Sequence, residues 1–428
     1  MNNQHILFNL IIIVIIFSHC SKNINDGILA NYDGGQLTKS ELIDRIGKKR
    51  FKKIIDSNAL SGIVQKSSIK KIIFDESEEL IYDKNINNEV QKVANDIKLK
   101  KVLDHLVNNY LLNDSIINFI YTSENTKYTI QDIVVTHRLT YSQHEDRAPK
   151  EAYAIAKIVR ERIDSKQLSF DEAVSVYAEH PSVKLRNGIM GPLPYGKLPK
   201  EFNDIIWRSM PGDIIGPVET KFGYHIFQTI KKENVENSKQ ANRKKAIKKE
   251  IKSGKYGFLD EYTDLLADEW FRMYGGEIYI DNIDTLWNIA DSIGLFIIPN
   301  GISMLNLDKT GYQKPLAKIN GQNLSIDWFI EEIKRQGRYK KTSLVKAYFL
   351  YNTLKDILHR YSAIIWFENN NTIFDHQKTY KSIKIKQENY LFDKYMSQEI
   401  DKDSSLTNSV ILNRLAIRYN LEIMDGAK

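Results

Sequence analysis

The 428-residue chain holds a single cysteine, Cys20, so no intramolecular disulfide is available and packing must hold the fold together. Proline (9) and glycine (21) are sparse, and no linker is long enough to separate freely moving modules. A glycine-rich phosphate loop and an RNA-binding aromatic signature are both missing, and the net charge of +7 is only mildly basic. Nucleic acid is therefore not an expected partner. Apart from Asn9, Ile6 to Phe17 is apolar, but this run is too short to span a bilayer as a helix. What is present is 42% hydrophobic residues, ample for packed cores, in a length that suits two to three domains.

The run "ILFNLIIIVIIF" suits the apolar core of a secretory leader. The "SHCSK" that follows resembles the lipobox of bacterial lipoproteins, although residues 1–5 carry no Lys or Arg and His19 stands where a small residue is usual. The resemblance implies a signal peptide over 1–19 and acylation of Cys20 as the mature N-terminus. An uncleaved signal anchor is the other reading, and either one exports and tethers the body of the chain.

Past a short polar linker, Ile28 to Tyr32 reads as a strand and Asp33-Gly34-Gly35 as a tight turn. Thr38 and Glu41 have capping-box spacing, in which hydroxyl and carboxylate satisfy reciprocal orphan amides at a helix start. The pattern recurs in "PLAKINGQNLSIDWF". There Leu316-Ala317 matches Leu29-Ala30, Gly321 matches Gly34, Leu324 matches Leu37 and Ser325 matches Thr38. Two strand–turn–strand–helix entry units thus flank the centre. Around them helical spacing dominates: Val90, Val93, Ile97, Val102, Leu103 and Leu106 mark one helix. A second long helix with a basic front half is expected from Ser238 to Phe271, where a solvated face is the ordinary meaning of the charge run. A helix ending in a short strand is expected at the C-terminal end.

The central stretch from Gln131 to Lys232 reads differently: strand, two helices, a glycine-rich turn, a short helix, then two strands. "IVVTHRL" is a β-branched strand containing His137. In the next helix, Ala152, Ala154, Ile155, Ile158 and Ile163 are expected on the inner side. Ser169 and Glu172 form another capping box, and Pro181 is expected to stop the second helix. "GPVETKFGYHIFQTI" closes the stretch with strand alternation, which sets His225 on the same side as Phe227. A histidine there is either a satisfied core residue or part of a site.

Order and residues together resemble the parvulin family of peptidyl-prolyl isomerases over Thr129 to Lys232. The pieces that carry this are "GPVETKFGYHIFQTI", "VTHRL", "SFDEAVSVYAEHPS" and "GIMGPLPYGKLPKEF". The wider layout resembles exported chaperone-isomerases of the SurA and PrsA type. The resemblance implies an α+β chain: a central parvulin domain over 129–233, a four-stranded antiparallel sheet with surrounding helices. A mostly helical SurA/PrsA-like module would come from 20–128 and 234–428, the latter holding the second entry unit near 316–335. It further implies a floor made by His137 and His225 bonded to each other, Thr220 linked to them, and His180 at the carbonyl-facing position. The proline socket would be Leu193, Leu198 and Phe202, with Phe222 also contacting substrate.

Such catalysis needs no nucleophile. The barrier to rotation is amide resonance, and uncatalysed X-Pro exchange takes tens to hundreds of seconds. A catalyst must bind the twisted amide better than the planar one. Several positions depart from the family pattern. His180 stands where Asp or Cys is usual, with Glu179 one residue early as a substitute carboxylate. Leu193 replaces an aromatic, Asn187 a glycine, and Pro199 a polar residue. Were His137, His180 and His225 to converge, three imidazoles would suit zinc, but the family pattern has no metal, and neither metal nor cofactor is expected.

The functional expectation is a membrane-tethered isomerase and chaperone for unfolded or proline-containing exported polypeptides. It would act in the bacterial cell envelope, facing the periplasm, with the outer membrane preferred to the inner. The alternative is a non-catalytic holdase or a scaffold with a degenerate parvulin site.

Overall fold

The computed structural model describes residues 27–424 apart from 56–58, 78–83, 142–146, 199, 236–241, 256–257, 291, 293, 298–303, 307–310 and 337–346. Cys20 and the leader lie outside the described residues. The chain divides into two compact units, one of Met1–Glu79 with Ile385–Lys428 and one of Leu80–Lys384.

In the first unit, strands Ile28–Tyr32 and Gly35–Thr38 form a hairpin, its turn made possible by the left-handed Gly34 (φ 84). The short strand Glu422–Ile423 pairs with the other edge, Ala30 opposite Ile423. The hydroxyl of Thr38 accepts from the Glu41 amide, and the Glu41 carboxylate accepts from the Thr38 amide at 2.9 Å, which starts the helix Lys39–Ile46. Leu29, Ala30, Leu37 and Leu42 bury themselves with Phe51, Leu60 and Val64 from the next two helices, Lys48–Ile54 and Ala59–Asp75.

The second unit opens on the helix Lys84–Leu106, which passes through a π-helical turn, Val107–Leu111, before Asn113 caps the helix Asp114–Ser123. Where one helix is expected from Ser238 to Phe271 there are two, Arg243–Lys252 and Phe258–Met273, because Gly254 takes a left-handed φ of 81 beyond the first. A second hairpin, Pro315–Ile319 with Gln322–Ser325, carries an edge strand Glu277–Ile278 and leads into the helix Ile326–Gln336. Its Leu316, Ala317, Leu324 and Phe329 pack with Leu354, Ile357 and Leu358 of the helix Ala347–Glu368.

Within this unit lies a four-stranded antiparallel sheet, in the order Ile189–Pro194, Thr126–Val135, Gly223–Asn234, Ile214–Thr220. On one face the helices Pro149–Asp164 and Phe170–Tyr177 pack against Ile133, Val135 and Ile226. The inward stripe of the first of these is Ala152, Ala156, Val159 and Ile163, the i, i+4, i+7, i+11 rows of one helix face. Ala154 and Ile158, expected inside, are exposed because they fall about half and a third of a turn off that stripe. The second helix has both halves of the Ser169–Glu172 box and ends at Tyr177. Pro181 therefore does not stop it, but opens a separate short helix, Pro181–Leu185. On the other face, Tyr128, Ile130 and Phe227 meet Phe202 and Ile206 of the helix Lys200–Arg208.

Candidate active site

The floor of the site is the central strand pair, in which Val134 stands opposite His225 and Asp132 opposite Phe227. Cross-strand partners share a face, so Asp132, His225 and Phe227 lie together on the face that packs against Phe202. The rings form a compact stack. Phe202 sits 4.2 Å from Phe227 and 5.5 Å from His225 between centroids, and His225 lies nearly parallel to Phe227 (5.4 Å, 5°). Leu193, Leu198 and Met190 are half-buried against the same cluster. Of the three expected socket residues, Phe202 packs directly beside His225, while Leu193 and Leu198 border the apolar cluster that Phe202 belongs to.

Both ring nitrogens of His225 are occupied. Nδ1 lies 3.0 Å from Oδ1 of Asp132, and Nε2 lies 2.9 Å from Oγ1 of Thr220. Thr220 Oγ1 also accepts from the amide of Phe222 at 3.0 Å. His225, Asp132 and Thr220 are all buried. The glycines of the closing motif have steric reasons. A Cβ on Gly216 (φ 112) or on Gly223 (φ 138) would sit 2.3 Å from a carbonyl oxygen, that of His225 or of Val135 respectively.

His137 lies two residues past the end of its strand, which stops at Val135. Its Nδ1 accepts from the amide of Leu139 at 3.2 Å. Burial, reinforced by Arg138 and Arg147, pushes the imidazole down to about 4, so the ring is neutral at physiological pH and carries its hydrogen on Nε2. That nitrogen has no hydrogen-bond partner among the described residues, and the nearest carboxylate, Oε1 of Glu219, is 3.9 Å away. The expected bond between His137 and His225 is absent: both nitrogens of His225 are taken by Asp132 and Thr220, so that ring has none left for the Nε2–H of His137. His137 instead packs beside Tyr224 at 5.6 Å.

His180 is separate again. It caps the short helix that follows it, its Nδ1 accepting from the Ser182 amide and lying 2.7 Å from the Ser182 hydroxyl. Glu179 does not stand in as a free carboxylate. It accepts from the amide (2.7 Å) and hydroxyl (2.9 Å) of Thr136 and from Arg147 (2.5 Å), locking the strand end that positions His137. The three histidines do not converge, and among the described residues no group of three or more His, Cys, Asp or Glu side chains is placed to hold a metal. Asn187 takes the left-handed φ of 50 that a glycine would otherwise supply.

Two features escape a reading of the sequence alone. Asp132 is one, although an acidic residue in the β-branched run "IQDIVV" is itself a signal. The other is the rim. The ring of Phe222 is half-buried against the helix-covered face of the sheet and meets Tyr141 at 6.1 Å. Tyr141 in turn meets Tyr348 and Phe349, 6.4 and 6.5 Å away on the helix Ala347–Glu368. Arg138 pairs with Asp284 at 2.5 Å on the same side.

Residues 137–231 match the PPIC-type PPIASE domain. The chain is 23% identical over 245 residues to the foldase protein PrsA of Geobacillus kaustophilus, covering 52% of this chain and 77% of the relative. It is 27% identical over 256 residues to that of Clostridium tetani, covering 51% and 69%. A solved PpiC-type peptidyl-prolyl cis-trans isomerase domain is 23% identical, with 27% of this chain and 98% of that one covered and a TM-score of 0.23. The sheet, its histidine floor and the motif that closes it thus make this chain an α+β protein bearing a PPIC-type peptidyl-prolyl cis-trans isomerase domain of the parvulin family.

Proposed function

We propose that the chain is a membrane-tethered peptidyl-prolyl isomerase and chaperone that assists folding of exported proteins in the bacterial envelope. The observation that supports this best is the stacking of Phe202 with His225 and Phe227 in an apolar cluster bordered by Leu193 and Leu198, which we read as the proline socket. A proline ring seats against these apolar walls while the preceding carbonyl is left to rotate. The walls hold the ring through the twist, and the hydrogen-bonded floor keeps its polar groups in place without reorganising. His137 and His225 act as fixed dipoles and transfer no proton. Foldase relatives and a parvulin domain support clients that are unfolded or proline-containing polypeptides. The tether rests on Cys20, which acylation would turn into an anchor facing the periplasm, preferably from the outer membrane.

The test is the slow, proline-limited refolding phase of a client, followed with the full chain, with Phe202→Ala and with His180→Asp. An active wild type that loses on the order of tenfold or more in kcat/KM with Phe202→Ala supports the reading, since that change strips the socket of one wall. Metabolic lipid labelling of Cys20, absent in Cys20→Ser, tests the tether.

A second reading, a non-catalytic holdase, draws on His180 and Glu179. Both groups nearest the usual carbonyl-facing position are already engaged with the chain itself. Activity in His180→Asp alone, or silence in all variants while aggregation is still suppressed, would favour it.

A further inference from the structure

Asp132 is the acidic side chain on the buried face of its strand, 3% exposed, between Gln131 and Ile133. A carboxylate in such surroundings is destabilising unless hydrogen bonds satisfy it, and here the ring of His225 supplies one. A carboxylate has no hydrogen to give, so His225 Nδ1 is the donor. In the neutral ring Nε2 is then an acceptor, and the hydrogen in its bond must come from Thr220. Thr220 receives the Phe222 amide on its oxygen and commits its one hydrogen to the ring. The polar chain runs in one direction, from the Phe222 amide through Thr220 and His225 to Asp132. His137 holds the opposite tautomer, because the Leu139 amide claims its Nδ1 as acceptor.

The geometry points to Asp132 as the positioning residue of the isomerase site: it fixes His225 in the Nδ1–H form and thereby sets the direction of the Thr220 hydroxyl beside the proline socket. This rests on the isomerase reading above. Without Asp132 the ring is released to the Nε2–H form, Thr220 becomes an acceptor from both sides, and its hydrogen turns away from the floor. The polarity beside the rotating amide changes while the apolar socket stays intact.

The experiment reads the ring directly, by ¹⁵N NMR of histidine-labelled full chain, with His225→Gln used to assign the signals. Wild type, Asp132→Leu and Asp132→Asn are compared, each with kcat/KM on a prolyl peptide. Leucine removes the acceptor. Asparagine keeps the shape and offers either its oxygen or its amide to Nδ1. The expected result is Nδ1–H in wild type, its loss in Asp132→Leu, and a fall in kcat/KM of about tenfold in whichever variant loses it. A wild-type ring protonated on Nε2 alone overturns the inference. So does a folded variant that loses Nδ1–H yet keeps full activity, or one that keeps it and loses activity. If Asp132→Leu does not fold, wild type and Asp132→Asn decide by the same criteria. An inactive wild type with Nδ1–H in place removes the isomerase reading while leaving the tautomer assignment standing.

Discussion

The two hairpin entry units are built on one plan with different closures. In the first, Ala30 pairs with Leu37 and Tyr32 with Gly35; in the second, Ala317 pairs with Leu324 and Ile319 with Gln322. Both show a register shift before the alanine, at Ile28/Ala30 and at Pro315/Ala317. In each a short third strand pairs with that alanine, Ile423 opposite Ala30 and Ile278 opposite Ala317. The first unit draws this strand from the far C-terminal end of the chain, the second from shortly before its own hairpin. Equivalent helix positions also carry a largely buried charge that is paired, with its sign reversed: Arg45 bonds Glu388 in the first, and Glu332 bonds Arg335 in the second. The shared plan requires a buried alanine and leucine at the sheet, a cap, and a neutralised charge one helix face further on. It does not require a particular sign or a particular source for the third strand.

The ion pairs are where the two copies should part most. Arg45 and Glu388 are 9% and 1% exposed with both guanidinium bonds near 2.9 Å, whereas Arg335 is 32% exposed and lies only three residues from Glu332. Glu388→Gln leaves a buried cation without its charge partner and should destabilise the first unit by about 3–5 kcal/mol. Glu332→Gln should cost the second about 1 kcal/mol, because solvent reaches its arginine. Hydrogen exchange read by mass spectrometry on the two hairpins of the full chain separates them; equal losses would show that burial does not distinguish the pairs.

The leucines should behave alike. Leu37 and Leu324 are fully or almost fully buried in their own clusters, so replacing either by alanine leaves a cavity worth about 2–5 kcal/mol. Losses in the two hairpins differing by more than the range of that estimate would mean that the copies diverge in packing as well as in charge.

Much of this plan is legible in the sequence because its signals are local. The alanine–leucine spacing, the glycine turns and the Thr38 and Ser325 caps all lie within a dozen residues of one another. The closing motif from Gly216 is legible for the same reason, its glycines fixed by backbone contacts that admit no side chain. The partners are not. Asp132 meets His225 across 93 positions, and nothing near either residue names the other. The histidine-to-histidine bond that the family resemblance implies does not form, because Asp132 and Thr220 take both nitrogens of His225, and His137 spends its Nδ1 on the Leu139 amide. The aromatic contact of Tyr141 with Tyr348 and Phe349 is equally non-local.

The smallest difference between the copies lies in the caps, and it depends on pH. Thr38 is half of a reciprocal box, whereas Ser325 Oγ accepts from the Trp328 amide at 3.3 Å and finds a tryptophan where Glu41 stands in the first copy. Thr38→Ala should cost about 1–2 kcal/mol and Ser325→Ala about 0.5–1 kcal/mol. Burial alone would raise the Glu41 carboxyl, but the bonds from Lys71 and the Thr38 amide outweigh it and hold the group below its usual value. A carboxyl lowered in the folded state stabilises that state above its unfolded value and loses the contribution as pH falls through the lowered one. Acidification from neutral through the ordinary glutamate range and below should therefore loosen the first hairpin more than Glu41→Gln loosens further, until the variant and wild type converge. Exchange rates in the first hairpin that fall in parallel with pH in wild type and Glu41→Gln, with no convergence, would show that the box contributes shape but no charge.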